Sequence, residues 1–187
     1  MKNLALLGAR LALGGYLAAH AVQKLTGGLG GPGLDKAGEM FEGMGLEPGR
    51  PMAALASGTE LAGATLTAAG LLDPIGPLAI AGAMGVAATS HRDNGPFAKD
   101  GGFELPAAYV AAALALAATG PGRYSVGLRL PKPLRAVAWL GAGVAAAAMV
   151  AKMVRPDDHV DAGATGGPVV ADLREEQMAA AYEKVRI

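Results

Sequence analysis

Five long runs of apolar residues constrain the fold of this 187-residue chain more than any other feature. The runs cover residues 4–25, 52–72, 75–90, 105–119 and 134–154. Each approaches the length of roughly 17 to 25 residues that a helix needs to cross a bilayer. The helices of a soluble bundle would show a polar face at 3.6-residue spacing, whereas the fifth run has no charged side chain between residues 136 and 149. The pattern therefore predicts an all-α membrane protein.

The composition of the chain excludes several kinds of binding and catalytic site. Acidic and basic residues balance at 16 each, so no basic excess points to nucleic-acid binding, and we expect none. The chain has no cysteine, which excludes disulfides, thiolate metal ligands and cysteine nucleophiles within it. Any redox reaction would need a cofactor, a substrate or a partner protein to supply the reactive centre.

The loop charges predict an orientation. The loop after the fourth run, residues 120–132, and the residues just beyond it contain four basic residues and no acid: Arg123, Arg129, Lys132 and Arg135. By the positive-inside rule this loop is cytoplasmic, which also puts the N-terminus in the cytoplasm. Because Arg10 interrupts the first run, we interpret that run as a retained membrane helix rather than a cleaved signal peptide.

Several short patterns, in order, resemble the DoxX family of integral membrane proteins. The first run carries Arg10, a Gly pair and a closing Lys-Leu, and the second carries Glu60 followed by a Gly-rich stretch. His91 with Asn94-Gly95 follows the third run, and Glu104 opens the fourth. Residues 120–125, Gly-Pro-Gly-Arg-Tyr-Ser, resemble the family's loop after its fourth helix, although Val126-Gly127 follows where the family usually has an Asp.

The resemblance implies a transmembrane four-helix bundle core over residues 1–125. Residues 126–155 would then add a basic loop and a fifth transmembrane helix, and residues 156–187 a polar tail. Apolar residues recur at helical spacing over 34–44 and 169–185, which predicts two amphipathic helices, the second of them C-terminal.

The resemblance also links the chain to quinone-coupled redox systems. It implies a multi-pass accessory subunit of a redox or respiratory assembly in the bacterial plasma membrane, with other membrane subunits and the lipid bilayer as partners. Two alternatives stay open: a self-sufficient oxidoreductase that handles quinone near Glu60, and a proton or small-molecule carrier. Whether the chain is itself an enzyme is undecided, and no catalytic residue is assigned.

Burying an ionisable side chain inside a membrane helix costs free energy, so such residues indicate candidate functional sites. Arg10, His20 and Lys24 share one face of the first helix at 100° per residue. We expect them to form an intramembrane polar cluster with three residues of the other helices: Glu60, His91 and Glu104. The cluster would either exchange protons or bind a ligand such as quinone, or form ion pairs that fix the helix register.

Two further hypotheses are weaker. Haem ligation by His20 and His91 rests on their similar depth alone, and no metal site is predicted. Residues 28–33 match the GxGxxG string, but this stretch does not follow a strand and contains Pro32, so we interpret it as a flexible loop.

Overall fold

The computed structural model describes residues 1–154, and residues 1–153 form one compact unit. Its six α-helices are α1 Lys2–Thr26, α2 Gly33–Gly43, α3 Gly49–Ala69, α4 Ile75–Ser90, α5 Glu104–Thr119 and α6 Lys132–Val154. No strand occurs among these residues, so the all-α prediction is confirmed for them. The amphipathic helix predicted over 169–185 and the rest of the polar tail lie outside the described residues.

The helix boundaries follow the apolar runs closely. The third run coincides with α4, and the helix predicted over 34–44 is confirmed as α2. The second run was predicted to stay helical to residue 72, and this is wrong, because α3 ends at Ala69. Gly70 adopts the left-handed conformation, with φ 65°, and the Leu71 N–H donates a hydrogen bond to the Leu66 carbonyl. This Schellman-type cap stops the helix although the next two residues are leucines.

Four helices contribute side chains to one hydrophobic core. The core residues are Leu13 and Leu17 of α1, Ala64 of α3, Ile80 and Met84 of α4, and Ala113 and Leu116 of α5. α1 and α3 approach closely at Gly14, where a Cβ would lie 2.6 Å from the Ala64 carbonyl oxygen. Small residues permit this backbone approach, which is how helices pack where water does not drive them together.

Two helices are long and apolar enough to cross a membrane, α1 over its whole length and α6 over Lys132–Ala151. They differ in their surroundings. α1 is part of the core, whereas none of the apolar window of α6 is buried in the described structure. One contact of α6 comes from Met149, whose side chain lies against Gly85 of α4. α4 and α5 are also apolar but have only 16 residues each.

The loop between α5 and α6 crosses the turn between α3 and α4. The Val126 N–H donates to the Ala69 carbonyl at 3.1 Å, and the Leu72 N–H donates to the Leu128 carbonyl at 2.8 Å. These two backbone hydrogen bonds satisfy polar groups that the end of α3 would otherwise leave unpaired. They also fix residues 126–128 against the end of the four-helix core.

Candidate functional site

Lys24 and Glu60 form an ion pair between α1 and α3. The Lys24 Nζ lies 2.5 Å from the Glu60 Oε2, and the exposed fractions of the two side chains are 17% and 2%. Glu60 is near the middle of α3, about 16 Å from the helix start at 1.5 Å per residue. Lys24 is in the last turn of α1, so its side chain extends along the bundle to reach the carboxylate. The aliphatic part of a lysine can lie on apolar surface in this way.

The second oxygen of Glu60 and a nearby hydroxyl are buried without a partner in the described residues. These atoms are the Glu60 Oε1 and the Ser57 Oγ. Ser57 lies three residues before Glu60 on α3, so both side chains are on one face of that helix. Ser57 could not be recognised from the sequence, because a lone serine in an apolar helix commonly bonds its own backbone and carries no other signal.

Tyr109 of α5 brings a third helix to this region. Its phenol interacts electrostatically with Glu60, and its ring lies 5.8 Å from that of Tyr16 on α1, centroid to centroid. The sequence analysis missed both tyrosines, since a single aromatic in an apolar run is typical of core or lipid contact. With Lys24, Glu60 and Ser57 they define what we call the Glu60 cluster.

Arg10 does not belong to the Glu60 cluster, contrary to the expectation from the helix face. It is 14 residues from Lys24, about 21 Å along α1, so a shared face does not bring the two side chains together. Arg10 is 2% exposed, and its Nη2 donates to the Tyr124 carbonyl in the loop after α5. Its Nε and Nη1 have no hydrogen-bond acceptor among the described residues.

Asp73 is a second buried polar residue in the region that contains Arg10. It lies in the α3–α4 turn, 5% exposed, and pairs with Arg129 in an isolated backbone bridge. Burial raises the pKa of its carboxyl, while the guanidinium groups of Arg135, Arg129 and Arg10 act in the opposite direction. A cavity of about 10 Å³, roughly the room of one water molecule, is lined by both Arg10 and Asp73.

The three other predicted site residues lie at the periphery. His20 is exposed on α1, and His91 is partly exposed just after the end of α4. Glu104 is exposed, and its Oε2 accepts a hydrogen bond from the Ala98 N–H at 3.0 Å, which closes the loop before α5. Within the described residues no hydrogen bond or ion pair joins any of these three to Glu60. The expected six-residue cluster is therefore divided.

The described residues thus hold two polar centres at different depths in the core: the Glu60 cluster, and a second centre that contains Arg10 and Asp73. Among known proteins, the DoxX family model matches residues 5–92, a stretch that includes α1 to α4 and contains Arg10, Lys24, Glu60 and Asp73. No curated protein and no solved structure matches the chain.

Proposed function

Because the DoxX family model matches residues 5–92, we propose that the chain is a membrane protein of this family and an accessory subunit of a redox or respiratory assembly. In this proposal the protein lies in the bacterial plasma membrane and holds a partner subunit that carries the redox centre. The absence of cysteine from the sequence is consistent with that division of labour.

We propose that α1, α3, α4 and α5 cross the bilayer as a four-helix core and that α6 crosses as a fifth helix. The shared hydrophobic core supports the first part, and the apolar composition of α6 supports the second. With 16 residues each, α4 and α5 extend only about 24 Å, so local thinning of the bilayer would accommodate them.

The N-terminus is proposed to be cytoplasmic. The Arg123 N–H donates to the Asn3 Oδ1 at 3.1 Å, which places the basic loop and the start of α1 at the same end of the molecule. Positive charge from both segments therefore collects at one end, as expected for the cytoplasmic side of a membrane protein.

The observation that carries the accessory role is the bare apolar surface of α6. Five of its large apolar side chains are more than half exposed: Leu134, Val137, Leu140, Val144 and Val150. A helix that contributes little to its own protein's core is suited to contact a second membrane protein. Helix association in bilayers depends on such side-chain packing.

The test is site-specific photocrosslinking in native membranes. A photoreactive residue at Val144 should join the chain to one protein that carries a redox cofactor. The control position is Leu55, which is 65% exposed on α3, and it should give lipid adducts instead. Equal protein adducts at both positions, or purification of the chain alone with full redox activity, would contradict the proposal.

In this proposal the Lys24–Glu60 pair is structural and sets the register of α1 against α3. The carboxylate already has a cationic partner in the Lys24 ammonium. Replacing Glu60 with Gln should therefore lower stability without abolishing the activity of the assembly. Loss of activity in a stable, assembled Glu60→Gln protein would instead indicate a proton or ligand site.

A further inference from the structure

A groove of about 480 Å³ lies between α1 and α5 at the end where the chain begins. Small residues of both helices line it, namely Ala5 and Ala9 of α1 and Ala112 and Ala115 of α5. No large side chain of residues 1–154 fills the space between them. The volume is within the range of roughly 300 to 1,000 Å³ that small-molecule sites have.

The groove has the depth of one lipid leaflet. Its α1 wall extends from Lys2 to Leu13, which are eleven residue steps or about 16 Å apart along the helix. The hydrocarbon core of a bilayer is about 30 Å thick, so the groove reaches from one end to about its middle. The polar lining residues, Lys2 and Thr119, are at the end of the groove that would face the lipid headgroups.

Two basic residues lie near this mouth. Lys2 lines the groove, and the backbone N–H of Arg123 donates to the Oδ1 of Asn3, the residue that follows Lys2. The preceding residue, Gly122, packs on Leu6 of the groove wall, since a Cβ there would lie 3.2 Å from the Leu6 Cδ1. Lys2 and Arg123 are both exposed, and none of the described residues that line the groove is acidic.

We propose that this groove binds one anionic phospholipid of the membrane. One acyl chain lies between the alanines of α1 and α5, and the headgroup phosphate lies between the Lys2 ammonium and the Arg123 guanidinium. Burial of apolar surface holds the chain, and the two cations select a negative headgroup, as basic sites beside membrane helices do. The inference is independent of the role proposed for α6.

The experiment uses the full-length protein in nanodiscs of equal phosphatidylglycerol and phosphatidylcholine, with retained lipid counted by native mass spectrometry. The wild type should retain one phosphatidylglycerol. In the double variant Lys2→Gln, Arg123→Gln, the preference for phosphatidylglycerol over phosphatidylcholine should fall by roughly fivefold for each cation removed. The charge-matched control, Lys36→Gln with Lys99→Gln, removes two exposed cations outside the groove and should behave like the wild type.

A second pair of variants tests the groove itself. Ala112→Leu places a larger side chain in the open groove and should abolish retention of the lipid. Ala107→Leu, an exposed position of α5 outside the groove, should not. Equal retention of the two phospholipids by the wild type, the same loss in either control, or displacement of the phospholipid by a neutral isoprenoid lipid would each overturn the proposal.

Discussion

Lys24 and Glu60 are separated by 36 residues in the sequence, yet the Lys24 Nζ lies 2.5 Å from the Glu60 Oε2 in the α1–α3 interface. The Glu60 side chain is almost fully buried, and the Lys24 side chain is partly buried, with 17% of its surface exposed. Two opposite charges at this distance in a region of low dielectric constant depend on each other, because either one left alone would be an uncompensated buried charge. This mutual dependence can be measured.

A double-mutant cycle on Lys24 and Glu60 should show strong coupling. Lys24→Met leaves Glu60 without its cation and should lower the free energy of unfolding by about 3 kcal/mol. Glu60→Leu should cost a similar amount, and the double variant should recover most of the loss. Denaturation in mixed micelles measures all four proteins. Additive losses would show that the two residues stabilise the fold independently.

Arg10 should control the loop after α5. Replacing it with Met removes the hydrogen bond to the Tyr124 carbonyl, a charged bond of the stronger kind. Hydrogen exchange should then speed up by roughly tenfold at the Val126 amide, which bonds to the Ala69 carbonyl. The His91 amide, bonded to Ala87 at the far end of α4, is the internal control. Unchanged exchange at Val126 would mean that Arg10 does not hold the loop.

Gly70→Ala and Gly82→Ala should change stability in opposite directions. Gly70 has φ 65° and packs against the Arg10 guanidinium, so a methyl group there is strained and should cost about 2 kcal/mol or more. Gly82 is inside α4 with nothing within 4 Å of its Cβ position. Alanine there should stabilise the helix by roughly 0.5 to 1 kcal/mol. Thermal unfolding of the two variants measures both changes in stability. A Gly70→Ala protein as stable as the wild type would exclude the close contact between Gly70 and Arg10.

Asp73 should make stability depend on pH in the acid range. Burial raises the pKa of its carboxyl above the ordinary value of 3.8, so the folded protein holds the proton more tightly than the unfolded chain does. The resulting stabilisation is present below pH 3.8 and is lost as the pH rises through the higher folded pKa. Asp73→Asn should flatten this part of the curve. A wild-type unfolding temperature that rises across the window would contradict the raised pKa.

The helices could be predicted from the sequence, but most of the polar contacts could not. The apolar runs gave the start of α4 at Ile75 and the end of α5 at Thr119 to the residue. Angular position on α1 grouped Arg10 with Lys24, whereas depth along the helix separates them. Asp73 could not be assigned to a polar site from the sequence, because its interactions with Arg129 and Arg135 depend on how the α5–α6 loop folds back.

The hydrogen bonds at Val126 and Leu72 have a consequence for α6. Leu128 is fixed at the α3–α4 turn, and α6 begins at Lys132, only four residues later. Four extended residues span at most about 14 Å, so this short connection limits how far the start of α6 can move from Leu128. A protein that binds α6 would consequently lie at one side of the molecule. Its position would depend on the two backbone hydrogen bonds that the Ala69 and Leu128 carbonyls accept.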